Sequence, residues 1–160
     1  MNQIKSENHH IIKSVHVSTL AEHAFAIFVN EIDSWWPGEY TWSAESLAEI
    51  AIEPAENGQC YEIGPYGFSC DWGRVLKFEP PFRLVFTWQI GPDRVPQPNP
   101  EKASEIEVLF EEGDGDTKVT LIHKHFENHG EGAEKYKEAM NSPQGWDYIL
   151  GNYLKAAKHG

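Results

Sequence analysis

The stretch Arg83-Leu-Val-Phe-Thr-Trp-Gln-Ile90 carries a large apolar side chain at every second position: Leu84, Phe86, Trp88 and Ile90. Strict alternation predicts a β-strand with one apolar face, because successive side chains of a strand point to opposite sides. The next apolar run repeats the same period with Ile106, Val108 and Phe110. The two runs therefore predict neighbouring strands of one sheet, with their apolar faces turned towards a common core.

Turn signals extend this pattern in both directions. Glycine, proline and aspartate clusters divide the chain from residue 43 to residue 126 into six strand-like runs, at about 46–53, 59–64, 68–79, 82–90, 104–112 and 117–126. Residues 11–18 also alternate and predict an opening strand. The sequence thus predicts an antiparallel meander of six to seven strands.

Two helices are predicted outside the meander. Thr19-Leu-Ala-Glu22 fits a capping box, so the first helix is expected at about 19–31. Ser142 and Pro143 are expected to open the last helix as its hydroxyl cap and its first-turn proline. The last helix has one broad apolar stripe, formed by Trp146, Ile149, Leu150, Tyr153, Leu154 and Ala157. That stripe predicts a helix lying on the sheet, while residues 127–141 are expected to be a loop or a short exposed helix.

Length and charge restrict the classes of function. A chain of 160 residues is expected to form a single domain over 1–160, with its core at about 11–157. A formal net charge of -12 repels phosphate backbones, so nucleic acid and anionic membrane surfaces are poor partners. The segment from Met1 to His10 lacks the apolar run of a signal peptide, and no stretch approaches the length of a membrane span. A cytoplasmic location is therefore expected.

Cys60 and Cys70 are the only cysteines. A turn centred near Pro65 would place them opposite each other on a hairpin, where a disulfide could form. In a reducing compartment two packed thiols are the favoured alternative.

Several short motifs, in order along the chain, resemble a known family. They are Ile12-Lys13-Ser-Val15-His-Val17, Ala24-Phe25-Ala-Ile27-Phe28, Trp35-Trp36-Pro37, Trp72-Gly73-Arg74-Val75, Glu79-Pro80-Pro81, Arg83-Leu84-Val-Phe86-Thr-Trp88, Leu121-Ile-His123 and Gly145-Trp146-Asp-Tyr-Ile149-Leu150. Together they resemble proteins related to the C-terminal domain of the activator of the Hsp90 ATPase, within the START-like (SRPBCC) superfamily. The resemblance covers about residues 11–157.

That resemblance implies an α+β helix-grip (Bet v 1-like) fold, in which a curved antiparallel sheet wraps the last helix and leaves a cavity. It does not select a chemistry, because START-like proteins include lipid and hormone carriers as well as polyketide cyclases and aromatases. The co-chaperone that gives the family its name uses an additional N-terminal domain. No residues remain here to form one, so a chaperone partner is not expected.

Five aromatic side chains are expected to line the space between sheet and helix: Trp72, Phe86, Trp88, Phe110 and Trp146. The alternative is that these rings simply fill the core. The family resemblance favours a cavity.

Three polar side chains could orient a ligand there, namely Arg74, His123 and Tyr66. If Arg74 points inward, with Glu62 or Glu53 beside it, its guanidinium would bind a carboxylate or carbonyl. The alternative is an exposed cross-strand ion pair.

His123 continues the face of Val119 and Leu121 and could exchange one proton near neutral pH. The alternative is a satisfied histidine at the sheet rim. His125 and His129 follow closely, but no cysteine or carboxylate stands at a characteristic metal-ligand offset, so neither a metal nor another cofactor is predicted.

The favoured hypothesis is therefore the binding of a small hydrophobic or aromatic molecule without turnover. The alternative is a cyclase, aromatase or hydrolase in which His123 and Arg74 act together on a bound carbonyl compound. A third hypothesis, with less support, is interaction with an Hsp90-type chaperone. The ring cluster of Trp35, Trp36 and Trp42 could serve a homodimer contact as well as a core.

Overall fold

A computed structural model describes residues 10–93 and 95–159 of the chain. The strands are β1 (Ile11–Val17), β2 (Glu49–Ile52), β3 (Gln59–Ile63), β4 (Ser69–Glu79), β5 (Arg83–Trp88), β6 (Ser104–Glu112) and β7 (Thr117–Lys124). They form one antiparallel sheet in the order β1-β7-β6-β5-β4-β3-β2, curled into a half-barrel. The predicted helix-grip fold and its seven strands are thereby confirmed. The N-terminal segment from Met1 to His10, where no signal peptide is predicted, lies outside the described residues except for His10.

The helices are α1 (Ala21–Asn30), α2 (Ile32–Trp35), α3 (Ala133–Met140) and α4 (Trp146–His159). Residues 36–48 connect α2 to β2 through two short 3-10 turns, Gly38–Tyr40 and Ala44–Ser46. A further 3-10 turn, Phe126–His129, leads from β7 towards α3. The segment 127–141 is therefore a short turn followed by a short helix, in agreement with the second of the two expectations.

The last helix packs against both the sheet and the first two helices. Its stripe is buried as predicted at Trp146, Ile149, Leu150 and Tyr153. The Tyr153 ring lies 5.2 Å from the ring centroids of both Phe28 and Trp35, and its hydroxyl donates to the backbone oxygen of Ala24 at 2.8 Å. This contact fixes α4 to α1 through a buried polar group as well as apolar surface.

Both predicted helix caps are wrong. Helix α1 begins at Ala21, whose N–H donates to the carboxylate of Glu112 from β6 at 2.9 Å, and no side chain of its own first turn caps it. Ser142 donates its hydroxyl to the backbone oxygen of Ala139 at 2.6 Å, and α4 begins four residues later. At the start of α1 the Glu112 carboxylate, which the fold brings close, thus takes the place of a local side-chain cap, since either can accept from a helix-terminal N–H.

The two cysteines do not lie opposite each other on the hairpin, and the favoured alternative of two thiols agrees with the structure. The register of β3 and β4 places Cys60 opposite Gly73 and Cys70 opposite Glu62, and both thiols are free. The hairpin turn is centred on Tyr66 rather than Pro65, and an irregularity between Cys60 and Tyr61 shifts the register again. Burial raises the pKa of the Cys60 thiol, so this side chain is an unreactive core residue.

Candidate functional site

Four indole rings meet between the sheet and the last helix. This tryptophan cluster consists of Trp36, Trp72, Trp88 and Trp146. Trp36 stacks on Trp72 with ring centroids 5.9 Å apart and an interplanar angle of 21°. It also lies 6.0 Å from Trp88 and 6.1 Å from Trp146. The protein's own rings occupy this space, and an open cavity between sheet and helix stays a prediction.

The four rings come from different kinds of backbone. Strand β4 supplies Trp72, β5 supplies Trp88, and the first turn of α4 supplies Trp146. Trp36 instead follows α2, in the connection to β2. It is also the most exposed ring of the cluster, at 9% against 2% for Trp72 and 1% for Trp146. Three walls of the cluster are thus built on regular structure, and the fourth ring sits on a connecting segment.

Buried indole nitrogens around the cluster have acceptors, with one exception. Trp146 donates to Nδ1 of His123 at 3.0 Å, Trp88 donates to the hydroxyl of Tyr136 at 2.6 Å, and Trp35 donates to the backbone oxygen of Ile27 at 3.0 Å. The Nε1 atom of Trp72 is buried and has no hydrogen-bond partner among the described residues. An unsatisfied buried donor costs about 1–3 kcal/mol, so this nitrogen marks a place where an acceptor would stabilise the structure.

A directed chain of hydrogen bonds runs through His123, which is fully buried. Nδ1 of His123 accepts from Trp146, so in the neutral ring the proton lies on Nε2, which donates to Oγ of Ser104 at 2.7 Å. The Ser104 hydroxyl then donates to Nε2 of the half-buried His129 at 2.8 Å. Every member of the chain is satisfied only while both histidines are neutral.

The pKa values of the two histidines agree with this assignment. Burial, with a smaller contribution from the nearby His129, holds the pKa of His123 well below its ordinary value. Burial also lowers the pKa of His129. Both nitrogens of His123 are already bonded, so its ring acts as a neutral link between α4 and β6.

A buried carboxylate holds the connection that carries Trp36. Glu62 is 1% exposed and accepts from the backbone N–H groups of Trp42 and Ser43, at 3.1 and 3.0 Å, and from the Ser43 hydroxyl at 2.8 Å. It therefore fixes the far end of the connection to β3. Residues 36–41, between α2 and this anchor, carry Trp36 at their start.

Four of the five predicted wall residues lie in or beside the tryptophan cluster. Trp72, Trp88 and Trp146 belong to it, and Phe86 contacts the Trp72 ring edge-on at 5.9 Å. Phe110 lies instead in a neighbouring group of rings, 5.0 Å from Phe25. His123 joins the cluster through edge-on contacts with Trp88 and Trp146.

Two predicted polar residues lie away from the cluster. The side chain of Arg74 is 42% exposed, 3.9 Å from the carboxylate of Asp71, and its guanidinium donates to the backbone oxygen of Asn57 at 3.4 Å. Neither Glu62 nor Glu53 is its partner, because Glu62 binds the 36–48 connection and Glu53 accepts from the N–H of Gln59. Tyr66 stands fully exposed at the tip of the β3–β4 hairpin.

Four residues of the site had no predicted role there: Ser104, His129, Tyr136 and Trp36. Tyr136 bridges the sheet to α3 by accepting from Trp88 and donating to the backbone oxygen of Ile90 at 2.9 Å. The Trp35-Trp36 pair was visible as a ring cluster, and His129 as part of a histidine run. No local pattern distinguishes Ser104, which enters the site because its strand pairs it directly with Trp88.

The histidine run does not assemble as a metal centre. His125 is exposed, in a left-handed backbone conformation (φ 66°). It takes no part in the hydrogen bonds that link His123 to His129 through Ser104. Within residues 10–93 and 95–159, no group of three or more histidine, cysteine or acidic side chains is placed to hold a metal ion.

Two hollows open on the surface outside the tryptophan cluster. One, of about 610 Å³, lies between the turn after β7 and helix α3, and Phe126 is among its lining residues. The other, of about 410 Å³, lies along β4 and includes Cys70 and Arg74. In the described part of the chain, every helix is too short or too polar to cross a membrane.

A curled antiparallel sheet closed by a long terminal helix over a ring-lined core defines a START-like, helix-grip protein. Within that class, the family model for activator of Hsp90 ATPase homolog 1-like proteins matches residues 18–158, and the chain belongs to this family. No curated protein gives a significant match to the chain.

Solved structures provide closer comparisons. Txn09, described as an anthrahydroquino-γ-pyrone synthase in complex with SUM, is 33% identical, with 92% of this chain and 96% of that chain covered and a TM-score of 0.66. CalC, a self-sacrificing resistance protein from Micromonospora echinospora, is 25% identical, with 94% of each chain covered and a TM-score of 0.64. Protein NE0264 from Nitrosomonas europaea, 14% identical with a TM-score of 0.67, shares the fold.

Proposed function

We propose that this protein binds a small hydrophobic or aromatic molecule between its sheet and its last helix, without chemically changing it. The observation that carries the proposal is the buried Nε1 of Trp72, which lacks an acceptor in a cluster of aromatic rings. Large rings supply apolar contact area, and a lone donor among them fixes the orientation of a ligand.

The surroundings favour a bound molecule over an enclosed water. A buried water needs two to four polar partners, whereas Trp72 is surrounded by the rings of Trp36, Phe86 and Trp88. The similarity to Txn09 is consistent with this view, since that protein is described in complex with SUM.

Native mass spectrometry of the purified protein, compared with its denatured mass, tests the proposal first. An added mass of metabolite size would support it and give the chemical class of the ligand. A clean match would be followed by thermal-shift screening of aromatic metabolites and lipids, and the absence of any saturable shift would refute the proposal.

Two substitutions locate the binding. Trp88→Phe keeps a ring in the cluster but removes the larger indole and its bond to Tyr136, so affinity should fall severalfold. Tyr66→Phe, at the exposed hairpin tip, is the matched control and should leave the affinity unchanged. Equal effects of the two changes would place binding outside the tryptophan cluster.

An enzymatic function of the cyclase type is the second candidate, favoured by the 33% identity to a synthase over nearly the whole chain. The pairing of Arg74 with His123 does not support it, because the first is bonded at the surface and the second is fully buried. Turnover of an aromatic polyketide-like substrate that is lost in His123→Gln, with ligand binding retained, would favour catalysis over binding alone.

A further inference from the structure

The tryptophan cluster contains one ring that differs from the other three in how it is held. Trp72, Trp88 and Trp146 are fixed by two strands and a helix, and the last two are also fixed through their indole N–H groups. Trp36 is carried by a connecting segment and is the most exposed of the four. It is therefore the ring that can leave the cluster with the least disruption of the sheet and of α4.

The structure also limits how far that movement would extend. Glu62 holds the backbone of Trp42 and Ser43, so the remainder of the connection stays attached to β3. Between Trp36 and this anchor lie Pro37 and the turn Gly38–Tyr40, and displacement of Trp36 rearranges these residues. The Tyr40 hydroxyl donates to the backbone oxygen of Gln144 at 2.7 Å, so this end of the turn is also held next to α4. In other proteins, the movement of short connecting loops commonly opens an enclosed site to its ligand.

The ring that Trp36 covers is the one with the unsatisfied donor. The indole of Trp36 stacks almost parallel on that of Trp72, at 21°, which is the contact that a flat aromatic ligand would make. Trp72 can only donate a hydrogen bond, so the ligand must bring an acceptor.

The charge of the ligand follows from its surroundings. Among the described residues, the buried polar and charged side chains are Glu62, Thr87, Ser104, Thr117 and His123, and none of these is a lysine or arginine. A carboxylate or phosphate buried here would have no cation to pair with, which is strongly unfavourable. A neutral carbonyl oxygen satisfies the indole N–H without bringing charge into the core.

This inference rests on the proposed function. We propose that the indole of Trp36 occupies the place that the ligand takes when it binds. A neutral, flat aromatic ketone or quinone displaces the Trp36 indole, lies on the ring of Trp72 and accepts the Trp72 N–H through its carbonyl oxygen. Trp36 then acts as an internal competitor that closes the site when no ligand is bound.

The matched probes 9-fluorenone and fluorene, which differ by one carbonyl oxygen, test this assignment by equilibrium dialysis. The wild-type protein should bind fluorenone about tenfold more tightly, the worth of one neutral hydrogen bond. In protein with 15N-labelled indoles, the Trp72 N–H resonance should shift with fluorenone and much less with fluorene. The Trp72→Phe variant should bind both probes equally while retaining its affinity for fluorene within about twofold.

Substitution of Trp36 tests the displacement. Trp36→Ala should raise the affinity for both probes, because no indole has to leave the site. Trp36→Leu, which keeps an apolar side chain in case the alanine variant does not fold, should act in the same direction. Trp42→Phe, on the same connection, is the control and should leave the affinity unchanged.

The possible results separate this inference from the function on which it rests. Equal wild-type affinities for the two probes would overturn the carbonyl assignment. Unchanged or lower affinities in both Trp36 variants would overturn the displacement. The absence of saturable binding of either probe to any variant would refute the proposed function itself.

Discussion

Lowering the pH from about 7.5 to about 5.5 is the perturbation to which the chain from His129 through Ser104 to His123 should respond most directly. Both histidines have pKa values below the ordinary 6.5 in the folded protein, because burial disfavours the imidazolium form. Protonation of His123 at Nδ1 would also set a second donor against the Trp146 indole N–H, and protonation of His129 at Nε2 would do the same to the Ser104 backbone N–H. Folded molecules therefore resist proton uptake.

The direction of the effect follows from proton binding. In the unfolded chain both imidazoles gain a proton as the pH falls through about 6.5, whereas in the folded chain they stay neutral to lower pH. The unfolded state then binds more protons, and the free energy of unfolding falls with pH below about 6.5. Above about pH 7 the protonation of these two histidines no longer changes the free energy of unfolding, since both are neutral in the folded and the unfolded state.

The size of the effect can be worked out for one pH unit below the ordinary pKa. A histidine that stays neutral in the folded state lowers the free energy of unfolding by about 1.4 kcal/mol at pH 5.5. The fully buried His123 should contribute nearly this amount. His129 should contribute less, because it is partly exposed and solvent reduces the penalty on its charge. A total loss of about 1.5–2.5 kcal/mol is expected between pH 7.5 and 5.5.

Urea unfolding, followed by tryptophan fluorescence at steps of about half a pH unit, measures this loss. Carboxylates titrate mostly below this range and should contribute little. His129→Gln should reduce the pH dependence by the share of His129. A free energy of unfolding that stays constant from pH 7.5 to 5.5 would refute the assignment of both histidines as neutral links.

Two further predictions concern buried hydrogen bonds. Glu62→Gln replaces a carboxylate that accepts three bonds with a group that has one acceptor oxygen, so the free energy of unfolding should fall by about 1–3 kcal/mol and amide exchange in residues 38–48 should accelerate. Glu49→Gln, at an exposed bond to Tyr61, is the control, and equal losses in the two variants would contradict the role of burial. Tyr153→Phe removes the hydroxyl bonded to Ala24 and should cost about 1 kcal/mol by urea unfolding. Tyr148→Phe, exposed on the same helix, should cost much less, and the reverse order would contradict the anchoring of α4 through Tyr153.

The candidate site could be predicted only in part, for reasons that individual residues make clear. Phe86 and Trp88 lie on a strand whose alternation indicates its inner face, and Trp146 is the first residue of an apolar helical stripe. The sequence therefore predicts that these three side chains point inward. Arg74 was uncertain because a neighbouring strand irregularity changes which side chains share a face, and in the structure it bonds at the surface with Asp71. Tyr66 could not be placed, because its position depends on the centre of the hairpin turn.

The sequence by itself determined a meander of six to seven strands, the apolar face of the sheet and the stripe of the last helix, because periodicity is a local property of a chain segment. The resemblance to a known family implied the helix-grip architecture. The tertiary structure decided which side chains meet. Strand register pairs Ser104 with Trp88 and Ile106 with His123, and the turn after β7 brings His129 back to Ser104. The connection after α2 lays Trp36 on Trp72 across 36 positions of sequence. Such contacts depend on register and on the path of connecting segments, which alternation and helical spacing leave open.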